Sequence, residues 1–171
     1  FSLFFQIQQQ LSPQLAGLAF LPMTLVLMAV NVLAGRLIIR MGSRRLMVAG
    51  LLLAALGYAL LLPVSIDGGY WRLVVPMLLA ASGIALLVPT MTNATLSAVD
   101  ASRAGIASGV LNSARQVGGM LGVAIFGYLI RDTAAAAFMR GMHAAIGISV
   151  ALLLCGSVLC WFGIRPERAA A

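Results

Sequence analysis

The chain has 171 residues, of which 62% are hydrophobic and only 9% are charged, whereas soluble domains carry roughly 25% charge. Its eleven basic residues are all arginine and face four acids, for a formal net charge of +7. A soluble globular domain is excluded. So is a nucleic-acid-binding surface, because the arginines sit in short breaks between apolar runs and not in a basic stripe with aromatics.

Positions 1–35, 46–66, 73–99 and 141–164 contain no Asp, Glu, Lys or Arg, and 104–130 contain only Arg115. Each run reaches the roughly 20 residues that a helix needs to cross a bilayer. The fold class is therefore all-α, a polytopic helical membrane protein. A single helix over 1–35 would be about 52 Å long, too much for a hydrocarbon core of about 30 Å, and Ser12-Pro13 supplies the break. Beginning inside an apolar run at Phe1, the chain is expected to be a fragment of a larger protein. The end of one truncated span (1–10) precedes five complete ones at 14–35, 46–64, 73–99, 106–130 and 142–164.

Arginine counts predict orientation, since basic residues are retained on the cytoplasmic side. Arg36, Arg40, Arg44, Arg45, Arg103, Arg165 and Arg168 share one side, while Arg72, Arg131 and Arg140 lie on the other. The first set is expected in the cytoplasm together with the C-terminus. Cys155 and Cys160 fall about 140° apart on an apolar helix and predict neither a disulfide nor a metal site.

Polar residues inside spans tend to face a bundle interior or a wet cavity. The first complete span places Thr24 and Asn31 two turns apart on one face. The second has only Tyr58 as a polar group, and the last only His143, Ser149 and Ser157, so these two read as outer, lipid-facing helices. The third aligns Ser82, Pro89 and Asn93, with Thr90, Thr92, Thr95 and Ser97 crowding one end. The fourth carries Ser108, Asn112 and Arg115 in line with Gln116 beside them. Thr24, Asn31, Asn93, Asn112, Arg115 and Gln116 are thus candidates for a cavity or substrate pathway, with interhelical bonding the competing role for the asparagines.

Arg115 lies about 15 Å into its span, where a charge costs at least about 2.5–3.5 kcal/mol. No acid occurs in any span, so its partner must be a carbonyl or amide of the bundle, an acid elsewhere, or an anionic group on a ligand. Gly105, Gly109 and Ser113, and again Ala114, Gly118 and Gly122, recur every four residues and predict close helix packing, with Gly119 beside them. Pro22 and Pro89 lie inside spans and are expected to kink them.

The stretch GRLIIRMGSRR at 35–45 resembles the signature loop of the major facilitator superfamily, with Gly35, Leu37, Arg40, Gly42 and Arg44 in the pattern, Arg36 beside them, and Ile39 where the family has an acid. The stretches AGLAFLPMTLVLMAVNVLAGRL at 16–37 and RAGIASGVLNSARQVGGMLGVAIFG at 103–127 are similar to the C-terminal half of fourteen-span drug:proton antiporters of the EmrB/QacA type. Ala114 and Arg115 depart from the antiporter motif of that family, while Gly118 and Gly119 follow it.

The resemblance implies a portion of a C-terminal bundle whose polar helices line a central cavity. It also implies a missing N-terminal half as partner, small amphipathic substrates exchanged for protons, a plasma (inner) membrane location, and alternating access about a midplane site. Phe20, Met23 and Met28 would add apolar contact. A carrier for a metabolite or organic anion, with Arg115 as anion ligand, and an inactive truncated remnant are the alternatives. No cofactor, metal site or enzymatic activity is expected, because the one histidine, His143, has no acid or nucleophile at helical spacing.

Overall fold

The computed structural model describes residues 21–63, 70–131 and 135–164. The truncated span 1–10, the break at Ser12-Pro13, the first residues of the next span with Phe20, and Asp67, Asp132, Arg165, Glu167 and Arg168 lie outside the described residues. Pro22, Met23 and Arg72 fall within or beside helices, but their side chains also lie outside them.

Every described element is helical, as the composition predicts. Helix α1 spans Leu21–Met41, α2 Ser43–Ala59, α3 Tyr70–Ser97, α4 Ala104–Leu129 and α5 Ala135–Gly163, with one 3-10 turn at Ala101–Arg103. Segments Thr24–Met41, Leu73–Ser97 and Ala136–Gly163 are long and apolar enough to cross a membrane.

The boundaries differ from the expected spans at both ends of the arginine-rich connection. Helix α1 continues through Arg36 and Arg40, and α2 begins at Ser43, so Gly42 alone separates them. Its φ of 75° and ψ of 155° belong to a region essentially reserved for glycine. That turn reverses the chain within one residue: the Gly42 amide still donates to Ile38 at 2.9 Å, closing α1, while its carbonyl accepts from Leu46 at 3.3 Å, opening α2. The expected loop is thus two helix ends hinged on a buried glycine. Helix α2 also ends sooner than 64, and α5 starts before 142, so Arg140 stands in a helix.

The pairs in contact give the arrangement. Helix α2 packs most extensively on α3 and next on α5, and α3 also receives α1. One cluster gathers Leu61 of the turn after α2, Leu73 and Met77 of α3, and Phe138, Met142 and Ile146 of α5 at one end. A second joins Ala34 of α1, Leu46 of α2 and Leu86 of α3 toward the other. The second complete span, expected at the periphery, is therefore central on one face: Leu46, Met47, Ala54 and Ala55 are buried, and the exposed stripe runs along Arg45, Ala49, Leu52, Leu56 and Leu60.

What lets α2 and α3 approach so closely is a run of small residues. A Cβ at Gly83 would stand 2.7 Å from the Ala54 Cβ and 2.5 Å from the Gly50 carbonyl oxygen; one at Gly57 would stand 2.7 Å from the Ala80 Cα and 2.8 Å from the Pro76 carbonyl oxygen. Real side chains do not reach such separations, so only glycine permits this crossing. By contrast, a Cβ at Gly105, Gly109, Gly118, Gly119 or Gly122 would meet nothing within 4 Å. The stripes expected to pack tightly therefore face open space among the described residues, and the tight crossing is built elsewhere.

Substituting Gly83→Val should lower the unfolding free energy of the purified protein in detergent by about 1–3 kcal/mol or more, the usual cost of overpacking a filled contact. Phe162→Ala, at a position 82% exposed, should change it by less than about 0.5 kcal/mol in the same thermal-unfolding series. Gly42→Ala, which forces a Cβ into the left-handed turn, should cost about 1–3 kcal/mol.

Candidate functional site: the open face of α4 and its attachment to α3

Helix α4 differs from its neighbours in having no buried residue at all. It touches α3 and α5 only lightly, closing on α5 near the Leu129 carbonyl and Gly141. Ile106, Val110, Met120 and Val123 are all at least 64% exposed. An apolar helix with this much free surface is incomplete as a packed element.

Along one side of α4 lies an open groove of about 470 Å³ lined by Gln116, Gly119, Met120, Val123 and Ala124. The positions recur at three and four residues, so they share a face, and Asn112, one turn before Gln116, continues it. Gly119 leaves the floor bare, Met120 and Val123 supply polarizable and branched walls, and Gln116 offers an amide with both donors and acceptors. Such a lining can hold an amphipathic molecule: apolar contact over most of its surface, with one amide to orient a polar group.

Arg115 turns to the adjacent side. Its guanidinium donates to the Val88 carbonyl oxygen and to Thr92 Oγ1 of α3, each at 3.2 Å. Of the partners the sequence allows, the structure supplies a bundle carbonyl and a hydroxyl. These contacts gather beside Pro89. Proline lacks an N–H, so the Ala85 carbonyl loses its helical partner there, yet α3 runs unbroken across both Pro76 and Pro89. Side-chain donors collect on the carbonyls just before the proline: Thr90 Oγ1 donates to Leu86 at 2.6 Å and Leu87 at 3.0 Å, and Thr92 Oγ1 to Val88 at 2.9 Å.

The remaining expected residues divide between several places. Asn93 faces away from the groove, its Nδ2 donating to Ser43 Oγ of α2 at 2.7 Å, so its role in this structure is interhelical. Asn31 donates to its own helix at Leu27 at 2.9 Å and is exposed on α1, and Thr24 is exposed on the same helix. Neither α1 residue reaches the groove on α4. Gly35, Arg36 and Arg40 are exposed toward the end of α1, Gly42 forms the turn, and Arg44 stacks on Trp161 of α5 at 4.5 Å. Both cysteines are free; Cys160 Sγ lies 3.2 Å from Met47 Sδ across the α2–α5 contact.

Sequence reasoning missed Met120, Val123 and Ala124, which had no polar atom to mark them, and Thr92 as the acceptor for Arg115. It also missed Gly50, Gly57 and Gly83. The seven-residue spacing of Gly50 and Gly57, two turns on one face, was the available signal.

Comparison with known proteins places these features. The family model described as Major Facilitator Superfamily matches residues 1–171. The methylenomycin A resistance protein of Streptomyces coelicolor is 32% identical over 99% of this chain and 35% of its own length. The puromycin resistance protein pur8 of Streptomyces alboniger is 36% identical over 94% of this chain and 35% of its own length. The multidrug resistance protein Stp of Mycobacterium tuberculosis is 31% identical over 74% of this chain and 24% of its own length. The chain thus spans about a third of the length of the curated relatives it matches most fully. No solved structure matches it.

Removing the clasp gives a direct test of its strength. Arg115→Ala and Thr92→Val should each lower thermal stability, by about 1–3 kcal/mol for the charged donor. The double variant should fall short of the sum by about 0.5–3 kcal/mol, because both act through one contact.

Proposed function

Because the chain belongs to the major facilitator superfamily, we propose that it forms the C-terminal portion of a carrier that exports amphipathic antibiotics or dyes by alternating access. The observation that carries this reading is the pairing of an apolar groove holding one amide, on a helix left open along most of its length, with relatives named for resistance to chemically unlike compounds. A pathway for dissimilar molecules needs adaptable apolar contact and few fixed polar demands, which Met120, Val123 and Gln116 provide.

In this reading the described helices are spans of one half of the carrier, and the open sides of α1 and α4 face its other half. Gln116 and Asn112 line the pathway. Arg115 holds α4 to α3 and is a positioning residue, since its donors are directed at Val88 and Thr92 and not into the groove. That geometry disfavours an organic-anion carrier with Arg115 as the ligand. The arginine-rich ends of α1 and α2 stand on the cytoplasmic side of the plasma (inner) membrane, with the C-terminus. Exchange for protons requires an ionisable group in the membrane; with no acid in any span of this chain, an acid of the remaining carrier would serve.

The test is accumulation of a cationic dye in an efflux-deficient bacterial host expressing the complete carrier. Lower accumulation than in the empty host, reversed when the proton gradient is collapsed, is the expected result; equal accumulation overturns the proposal. Gln116→Leu and Met120→Ala should alter resistance to different compounds unequally, by roughly fivefold for a substrate that uses the amide, at unchanged membrane abundance on immunoblots.

A further inference from the structure

At the end of the molecule away from the α2–α5 cluster of Leu61 and Phe138, four arginines fall within ten residues: Arg36, Arg40, Arg44 and Arg45. The first acid of the sequence is Asp67, and the one acid among the described residues, Asp100, makes no ion pair with any of them. Helix α2 opens on two of these charges with no acid in its first turn. Positive charge gathered in this way, with no acid beside it among the described residues, attracts an anion.

The geometry at Arg44 narrows what that anion is. Its Cζ lies 4.5 Å above the ring of Trp161, near the end of α5. Stacked in this way, a guanidinium rests on its aromatic platform and keeps its N–H edges for oxygens in its own plane. Among the described residues the protein supplies no such oxygen; Nε is enclosed without an acceptor, which leaves the two terminal Nη groups as the edge for a ligand. A phosphate diester, whose two non-bridging oxygens share one negative charge, is a group that suits a planar fork of this kind.

The level of the ring shows where that phosphate comes from. Trp161 is 48% exposed, and beside it Phe162 is 82% and Leu159 71% exposed, all in the last turns of the apolar segment Ala136–Gly163. A tryptophan at the end of an apolar span sits at headgroup depth, with the aliphatic and phenyl surface below it against acyl chains. We propose that the Arg44–Trp161 seam between α2 and α5, with the exposed Arg45 beside it, is a binding site for the phosphate of an anionic phospholipid. Arg44 and Arg45 take the phosphate, Trp161 orients Arg44, and Phe162 and Leu159 lie along the acyl chains. Arg36 and Arg40 on α1 add attraction through space. The site is independent of what the carrier exports.

The probe is phosphatidylglycerol. The complete carrier, purified into nanodiscs of phosphatidylcholine with and without phosphatidylglycerol, is released into native mass spectrometry and its retained lipids are counted. Wild type should retain phosphatidylglycerol in preference to phosphatidylcholine, and raised salt during incubation should reduce that preference. Arg44→Gln with Arg45→Gln should lose it by roughly fivefold per arginine, while Arg140→Gln at the opposite end should retain it. Equal retention of the two lipids by wild type, or a preference insensitive to salt, overturns the proposal without recourse to any variant. An undiminished preference in the double variant also overturns it. Displacement of the bound lipid by soluble glycerol phosphate at equal concentration overturns it in favour of a free-phosphate site.

Discussion

The rest of the structure depends on the crossing of α2 and α3. Inside a bilayer, helices gain nothing by hiding apolar side chains from each other, because lipid tails are equally apolar; association rests on close van der Waals contact and on the few polar bonds that cross between helices. Gly50, Ala54 and Gly57 on one side, with Ala80 and Gly83 on the other, bring the two backbones so near that a single methyl group would collide. Once that contact is made, Asn93 reaches Ser43, Leu46 and Leu86 close over Ala34 of α1, and Leu61, Leu73 and Met77 form the floor on which α5 lays Phe138 and Met142. The buried turn at Gly42 belongs to the same constraint, since a longer connection would let α2 slide relative to α1.

Against this pillar α4 is attached by little more than Arg115 and its two acceptors, with a touch on α5 at Gly141. A charged side chain in the membrane is a costly fastening, and a leucine would be cheaper for static packing. The difference is directional: a guanidinium on a carbonyl and a hydroxyl fixes rotation and height of α4 without drawing its whole face against α3. Among the described residues the glycine and alanine positions of α4 are uncovered, and its groove is open. One rigid pair and one lightly held helix is a division of labour consistent with the carrier proposed above, in which two halves would move against each other.

Much of this could be read from the sequence, and what could not has identifiable reasons. Charge-free runs gave the helical membrane class without ambiguity, because the bilayer admits few alternatives. Arg115 was recognisable as the most informative residue because charges are so rare there, and its partner lay within the alternatives that the chain's own composition left. Asn93 was marked by its polarity, but only tertiary structure could decide that it turns to α2 and not to the cavity. The small-residue rule left the choice of stripe open: Gly105, Gly109, Gly118 and Gly122 satisfy the four-residue spacing and face nothing among the described residues, whereas Gly57, seven residues after Gly50, makes a close contact with α3. Spacing shows that a face is small, not which partner comes to it.

The same distinction separates the polar from the apolar part of the candidate site. Gln116 stands out in any apolar span, but Met120, Val123 and Ala124 are the commonest kind of membrane residue, and only the absence of a neighbour over them among the described residues makes them a lining. For the proposed pathway, which would accept unlike molecules, this is a physical expectation and not an accident of reading. Strong, well-placed polar groups would select one substrate and leave unpaired donors or acceptors with every other. A surface that discriminates little is made of residues that individually signal little, so the part of such a site most responsible for its breadth is the part a sequence announces least.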